Sequence, residues 1–309
     1  MSDSASALRV GSRKSPLARR QAESVMAWIA ARHPQCALSW SGIATQGDRQ
    51  LDRPLATLAR ETLTKGVFVR ELENALLAGE IDVAVHSLKD MPGDLPPGLA
   101  LQSAGEREDP CDALVSITGL SLSQLPAGAR LGTSSVRREA MLRALRPDVA
   151  CYSVRGNLQT RLAKLESGEY DALILAAAGL RRLGEEARIV QRFDPLVELT
   201  PPCGQGILAV EYRQNDARTR ALLASIAVPA VETAMQAERA ALCALQAGCS
   251  AALGAYAAPE PDGDFTLSLW FLPPETSMPL MARARFQPVD AARTAHALAL
   301  RLQATAPAP

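Results

Sequence analysis

Along the first half of the chain, short continuous apolar runs alternate with helical repeats. Residues 8–10 make a brief strand-like run. Ser15 then stands where a helix cap is favoured and Pro16 where a first helical residue is favoured, and Ala18, Ala22, Val25, Met26 and Ile29 recur at helical spacing as far as His33-Pro34. Residues 37–43 predict a second strand, and 45–66 form a long polar connection with no strong apolar period. A helix follows over about 67–78, stopped by Gly79. Residues 81–85 predict a strand that ends in HSLKDMP (86–92) and the turn-rich PGDLPPG (92–98). Strands at 99–104 and 113–116 flank the polar GEREDPC (105–111), which reads as a crossing between two lobes.

The pattern then restarts. Residues 130–132 lead into TSS (133–135) and a helix ending at Pro147, 150–154 lead into RGN (155–157) and a helix ending at Gly168, and a buried strand at 172–176 precedes AGLRRLG (178–184). From about 229 the character changes to a helix over 231–247 closed by Gly248, strands at 251–257, 265–271 and 280–286, and a last helix near 289–303. Strand–helix alternation predicts an α/β fold of two similar lobes with mainly parallel sheets, followed by a small C-terminal α+β domain. The expected boundaries are 1–105 for lobe 1 with a return segment near 204–226, 106–203 for lobe 2, and 227–309 for the C-terminal domain. In such sheets ligands sit beyond the carboxyl ends of strands, and the cleft between lobes is the natural site. Arg13, Lys89 with Asp90, Arg137 with Arg138, Arg155, and Arg181 with Arg182 each lie just after a predicted strand.

Composition narrows the function. The 309 residues carry 33 basic and 33 acidic side chains, so no global field draws the molecule to nucleic acid or to an anionic membrane. No apolar run is long enough to span a bilayer, and the start MSDSASALRV lacks a secretory profile, which predicts a cytoplasmic protein. Six cysteines (36, 111, 151, 203, 243, 249) without a CxxC pair and three histidines (33, 86, 296) argue against a metal site or a disulfide framework. Arginine outnumbers lysine 29 to 4, a ratio that GC-rich coding bias explains. Position says more than the ratio: from Arg130 to Arg192 there are 11 Arg and 1 Lys against 7 acids, a local excess of five positive charges that points to an anionic ligand.

Arginines at strand ends suit carboxylates, because a guanidinium offers a planar fork of donors and keeps its proton. GTSSVRR (132–138) adds a helix N-terminus and three hydroxyls. The plainer alternative is that Arg137 and Arg138 pair with Glu139 or neighbouring acids on a solvated face. Asp90, surrounded by fixed positive charge, would stay ionised and could stabilise a cation or shuttle a proton to a departing amine; the plainer alternative is a turn aspartate bonding its own backbone. Ser87 and His86 lack a partner motif for a nucleophilic triad. Cys249 lies in a loop after Gly248, where a thiol can be alkylated, whereas Cys243 lies within a helix and suits a small-hydrophobe role. The residues alone thus indicate a three-unit α/β protein that binds a small multivalent carboxylate.

Nine motifs, in order, resemble those of the porphobilinogen deaminase family: RVGSRKSPLARRQ (9–21), LDRPL (51–55), KGVFVRELENAL (65–76), HSLKDMP (86–92), GTSSVRR (132–138), RGNLQTRL (155–162), AGLRRLG (178–184), GQGILAVE (204–211) and ERAALCALQAGC (238–249). The resemblance implies a transferase that joins four porphobilinogen molecules head to tail, releasing ammonia at each step, to give hydroxymethylbilane for porphyrin and haem biosynthesis. It implies two lobes like those of periplasmic binding proteins, a monomeric state, and a dipyrromethane cofactor bound as a thioether to Cys249. It assigns Asp90 to the loss of the amino group and to the cationic pyrrole. To Arg13, Ser15, Lys89, Ser135, Arg137, Arg138, Arg155, Arg161 and Arg182 it assigns the acetate and propionate groups of cofactor and substrate, and it places Lys65 in a lid. Two stretches depart from the family pattern: ARETLTKG (59–66) is longer, and Ser250–Leu253 replaces a Gln-Val-Pro-Ile-like run.

A non-catalytic binder of small anions is the competing reading, since two-lobe folds also serve transport and sensing. Nothing in that role requires Cys249. Nucleic-acid binding is disfavoured by zero net charge and only 12 aromatic residues.

Overall fold

The computed structural model describes residues 7–45, 69–246, 252–273, 276 and 278–305. Its contacts divide the chain into two units, one of residues 1–107 and 207–232, the other of 108–206 and 233–309. The first boundary falls inside the polar stretch GEREDPC, where no apolar side chain was available to anchor an element.

The first unit holds five strands, β1 (Leu8–Arg13), β2 (Leu38–Ile43), β3 (Val83–Ser87), β4 (Leu99–Ala104) and β10 (Leu208–Arg213), in the order β2-β1-β3-β10-β4. Helix α1 (Pro16–Arg32) starts where Ser15 accepts a bond from the Ala18 amide, with Pro16 supplying a residue whose missing N–H costs nothing in the first turn. Its stripe of Ala22, Val25 and Ile29 packs on Val10, Val83, Val85 and Val210 of one sheet face. Burying side chains the size of Val25 and Ile29 is worth about 1.5–3 kcal/mol each. Helix α2 (Arg70–Leu77) covers the opposite face, setting Leu72 and Leu76 against Ile81, Ala84 and Leu99. A short helix α6 (Ala217–Ala224), capped by Asp216, follows β10.

The second unit repeats the plan. Strands β5 (Asp112–Ser116), β6 (Arg130–Gly132), β7 (Ala150–Tyr152), β8 (Ala172–Ala176) and β9 (Ile189–Arg192) lie in the order β7-β6-β8-β5-β9. Helix α3 (Val136–Leu145) packs Met141 and Leu142 on Leu131, Ile174 and Phe193. Helices α4 (Leu158–Glu166) and α5 (Ala177–Arg182) cover the other face through Leu162, Leu165 and Leu180. Helix α7 (Pro229–Ala244) leads toward an antiparallel sheet of β11 (Ala252–Pro259), β12 (Phe265–Leu272) and β13 (Leu280–Phe286), against which α8 (Ala291–Ala304) lies. This small C-terminal sheet and helix shares a core with the second unit, because Trp270 joins the cluster around Leu131 and Phe193, and the Ala255 amide donates to the Pro201 carbonyl at 2.9 Å.

The five-stranded sheets are mixed, not mainly parallel. In the first, β1 runs parallel to β2 and β3, while β10 runs antiparallel to β3 and β4. In the second, β6 runs parallel to β7 and β8, while β5 runs antiparallel to β8 and β9. The reason lies in chain order: β5 and β10 each open a unit's segment after a crossing, so neither is reached by the strand–helix–strand turn that enforces parallel pairing. Strand periodicity carries no information on that direction.

Candidate active site

Because β1 and β3 are parallel neighbours, their carboxyl ends reach the same edge of the first sheet. Arg13 ends β1, Ser15 caps α1, and β3 passes from Ser87 into a single turn, Leu88–Asp90. The turn is anchored by its apolar members: Leu88 and Met91 are buried, the Leu88 amide donates to the Ile207 carbonyl and the Met91 amide to the Leu88 carbonyl, both at 3.0 Å. Lys89 and Asp90 between them stay half-buried. Asp90 lines a recess of about 60 Å³ with Arg13, Ser15, Gln21, His86 and Ser87. Gln21, 3% exposed on the apolar stripe of α1, donates to Ser87 Oγ at 2.8 Å. The Asp90 carboxylate makes no hydrogen bond or ion pair among the described residues. A carboxylate so placed is free to stabilise a cation or pass a proton.

Charge continues under the recess. His86 Nε2 lies 3.1 Å from Oε2 of Glu211 on β10, and both side chains are buried. Glu211 Oε1 has no hydrogen-bond partner. Glu73 of α2 has its carboxyl pushed up by burial and by the Glu211 charge, with His86 and Arg70 pulling the other way.

In the second unit β6, β7 and β8 are parallel, so the segments that follow them share one edge of the sheet. Ser134 Oγ donates to the Val154 carbonyl at 2.6 Å and joins the first two of these segments. Ser135 caps α3 by accepting from the Arg138 amide. Gly156, at a φ of 113° that other residues rarely adopt, turns the chain from Arg155 into Asn157, the cap of α4. Arg155 has no hydrogen bond or ion pair among the described residues, and burial alone lowers its pKa. Arg161 donates Nε to the Gly156 carbonyl at 2.9 Å. Arg182 donates to the Gly206 carbonyl at 2.7 Å, and burial, countered in part by Glu108, takes its pKa down to about 10.

Arg137 and Arg138 do not lie on a solvated face. Both are buried, and both donate to one carboxylate, Asp112 at the head of β5: Arg137 Nη2 at 2.7 Å, Arg138 Nε and Nη2 at 3.0 and 2.7 Å. Gln205 Nε2 adds a third donor at 2.9 Å. Arg137 Nη1 and Arg138 Nη1 donate to the Thr200 and Ile174 carbonyls. Burial pushes the Asp112 carboxyl up, but the two guanidiniums and Gln205 outweigh it and hold it well below the ordinary range. Burial lowers the Arg137 pKa, with Asp112 opposing. These two arginines are thus held inside the unit by an acid that begins an apolar strand, and among the described residues Arg137 Nε is buried without a hydrogen-bond partner.

The excess of arginine between 130 and 192 is therefore mostly spent within the protein. Arg130, Arg137, Arg138, Arg143, Arg146, Arg181, Arg188 and Arg192 each pair with an acid. Arg155 and Arg182 have no acid hydrogen-bonded to them among the described residues. Asp112, Gln21 and Glu211 were not singled out from the sequence, although each is a polar residue interrupting an apolar stripe or run. Lys65, the 45–66 connection beyond Thr45, the Gly248 helix stop and Cys249 lie outside the described residues.

The model of the family described as porphobilinogen deaminase, dipyromethane cofactor binding domain, matches residues 8–221. The chain is 47% identical over 255 residues to a porphobilinogen deaminase of Roseiflexus castenholzii, covering 82% of each. Among solved structures it is similar to the periplasmic VFT2 domain of Bordetella pertussis BvgS (TM-score 0.41, 14% identity, 71% of this chain and 86% of that one). It is also similar to a reduced form of OxyR from N. meningitidis (TM-score 0.42, 15% identity, 71% and 93%). The chain belongs to the porphobilinogen deaminase family.

Proposed function

We propose that the recess at the end of β3 is the reacting centre, with Asp90 as its carboxylate, and that Cys249 carries the cofactor on the C-terminal domain. As a member of its family the chain is a transferase that polymerises four porphobilinogen molecules head to tail to hydroxymethylbilane, with release of ammonia, in porphyrin and haem biosynthesis. The matched region is the family's dipyrromethane cofactor binding domain. The single observation that carries the site assignment is Asp90: a half-buried carboxylate without a hydrogen-bonded partner among the described residues, in a recess it shares with Arg13. Loss of ammonia from the aminomethyl group leaves a cation on the pyrrole, and a fixed anion beside it stabilises that cation without reorganisation.

The residues suit a group rich in carboxylates. Every pyrrole unit brings an acetate and a propionate, and Arg155 and Arg182 are cations without an acid hydrogen-bonded to them. These two, with Arg13, Ser15, Lys89, Ser135 and Arg161, hold the carboxylates in this reading. Arg137 and Arg138 act from behind: two guanidiniums against one Asp112 leave a net positive charge beneath the cap of α3. When bound, the cofactor supplies the pyrrole end from which the chain grows. We further infer a monomer working in the cytoplasm.

Intact mass of the expressed chain beside Cys249→Ala tests the reading. The wild type is expected to be heavier by two linked pyrrole units than its sequence, and Cys249→Ala to match its own. A wild-type mass that matches its own sequence, as that of Cys249→Ala does, would leave the non-catalytic anion binder as the better account.

A further inference from the structure

Each condensation must dispose of a proton that Asp90 cannot keep. The carbon–nitrogen bond of the incoming unit breaks with its electron pair leaving on ammonia, and a carbon–carbon bond forms to the free α-carbon of a substrate-derived ring. The C–H bond at that carbon then breaks, its pair restoring the ring's aromaticity and its proton passing to an acceptor. If Asp90 took that proton and held it, the next unit would meet a neutral acid where its cation requires an anion.

We infer that His86 accepts the ring proton at Nδ1 and that Glu211 is the positioning residue that readies it; the inference rests on the Asp90 reading above. Among the residues lining the recess, Asp90 and His86 are the two whose side chains offer a basic lone pair to a departing proton, since a guanidinium has none and serine and glutamine are not bases. An ionised Glu211 can only accept, so the 3.1 Å contact places the hydrogen on Nε2 and leaves the lone pair on Nδ1. No described residue hydrogen-bonds Nδ1. The arrangement is a carboxylate orienting an imidazole from behind, the logic of an oriented general base.

Glu211 also lacks a structural explanation of its own. It is fully buried and, among the described residues, one of its oxygens is unpartnered and its only hydrogen-bonded cation-former is His86. Such a carboxylate costs stability unless a positive charge arrives beside it. The groups facing the pair favour that arrival: Glu73 from α2 adds negative potential, tempered by Arg70, while Asp90 and Arg13 stand at the recess. A proton on His86 would therefore be stabilised until solvent removes it, and Asp90 would keep its charge for the next cycle.

The test uses chains whose mass shows a full cofactor load and porphobilinogen carrying deuterium at the free α-carbon. In the wild type, turnover is expected to be insensitive to that deuterium. In His86→Asn, kcat should fall by about 10²-fold and a primary isotope effect should appear, because carbon–hydrogen cleavage becomes the slow step. Glu211→Gln should show the same effect with a smaller loss. A purely structural role predicts reduced turnover with no isotope effect in either variant, and that result overturns the inference. Independently of turnover, imidazole ¹⁵N spectra of the wild type should show Nε2 protonated and Nδ1 bare for the one histidine of three whose signals vanish in His86→Asn. Protonated Nδ1 also overturns it; should His86→Asn fail to fold, the same signals are those that remain in a chain carrying His33→Gln and His296→Gln. Asp90→Asn separates the two readings: full activity there removes the underlying assignment, whereas an inactive Asp90→Asn beside an isotope-insensitive His86→Asn removes only the role of His86.

Discussion

Replacing Asp112 by Asn keeps the side chain's shape and one acceptor oxygen but removes its charge, and the consequence is set by what surrounds it. Asp112 is 0% exposed, and it answers two buried guanidiniums at 2.7 Å each. Without its charge, Arg137 and Arg138 face each other in a medium that screens poorly, and removing one partner of a buried ion pair costs about 3–5 kcal/mol. For a unit of this size each kcal/mol lowers the melting temperature by about 2–4 °C, so Asp112→Asn should melt roughly 6–20 °C below the wild type. Glu139→Gln is the control, since its pair with Arg143 is exposed on a helix surface and is worth only about 0.3–0.5 kcal/mol. Acid should reveal the same group. The folded carboxyl sits below its unfolded value, so its stabilisation is complete above the ordinary carboxylate range and disappears as pH falls through the folded value. Melting curves of wild type and Asp112→Asn followed by calorimetry should therefore converge as pH is lowered below about 4. A variant that melts within a degree or two of wild type at neutral pH would refute the account of the buried triad.

Asp90→Asn should fold with unchanged melting, because the carboxylate bonds to none of the described residues, yet lose about 10²–10⁴-fold in kcat; full turnover would return Asp90 to the status of a turn residue. Glu73→Gln should raise stability at neutral pH. Its folded pKa is raised, so the ionised form is disfavoured by folding above that value, and the gain should fade as pH falls toward the unfolded carboxylate range; equal melting of both proteins at pH 7 would contradict the electrostatic reading.

How far the sequence could be read depends on whether a residue's meaning is local. Ser15-Pro16 and the stripe after it specify α1 to its last residues, because capping and amphipathic packing are both encoded within a few positions. The strands at 99–104 and 172–176 agree with the structure at both ends for the same reason. Strand direction was not legible, since antiparallel β5 and β10 have the same apolar pattern as a parallel strand would. Strand β9 escaped notice because Ile189–Arg192 offers only two apolar residues, and its identity comes from pairing with β5. The partners of Arg137 and Arg138 were illegible for a sharper reason. Glu139 is adjacent in sequence, but the chain brings in Asp112 from 25 residues away, and only the folded sheet makes that acid the nearer one.

That distinction changes what a local surplus of arginine means. A guanidinium bonded to an acid within its own unit offers little further attraction to a ligand, whereas one that burial strips of water without supplying an acid holds unmet demand. Arg182 comes near to this: Glu108 counters its burial only in part, its pKa falls to about 10, and it stays protonated at neutral pH, so its charge persists while its hydration does not. A carboxylate arriving at Arg182 or Arg155 restores the lost interaction and raises the pKa again, and by linkage the same free energy tightens the carboxylate's binding. Each added pyrrole brings two more like charges, which repel at close range unless such cations are waiting. In the proposed reading, the capacity to lengthen a polyanion therefore rests on the few arginines without an acid hydrogen-bonded to them among the described residues, not on the larger number the chain contains.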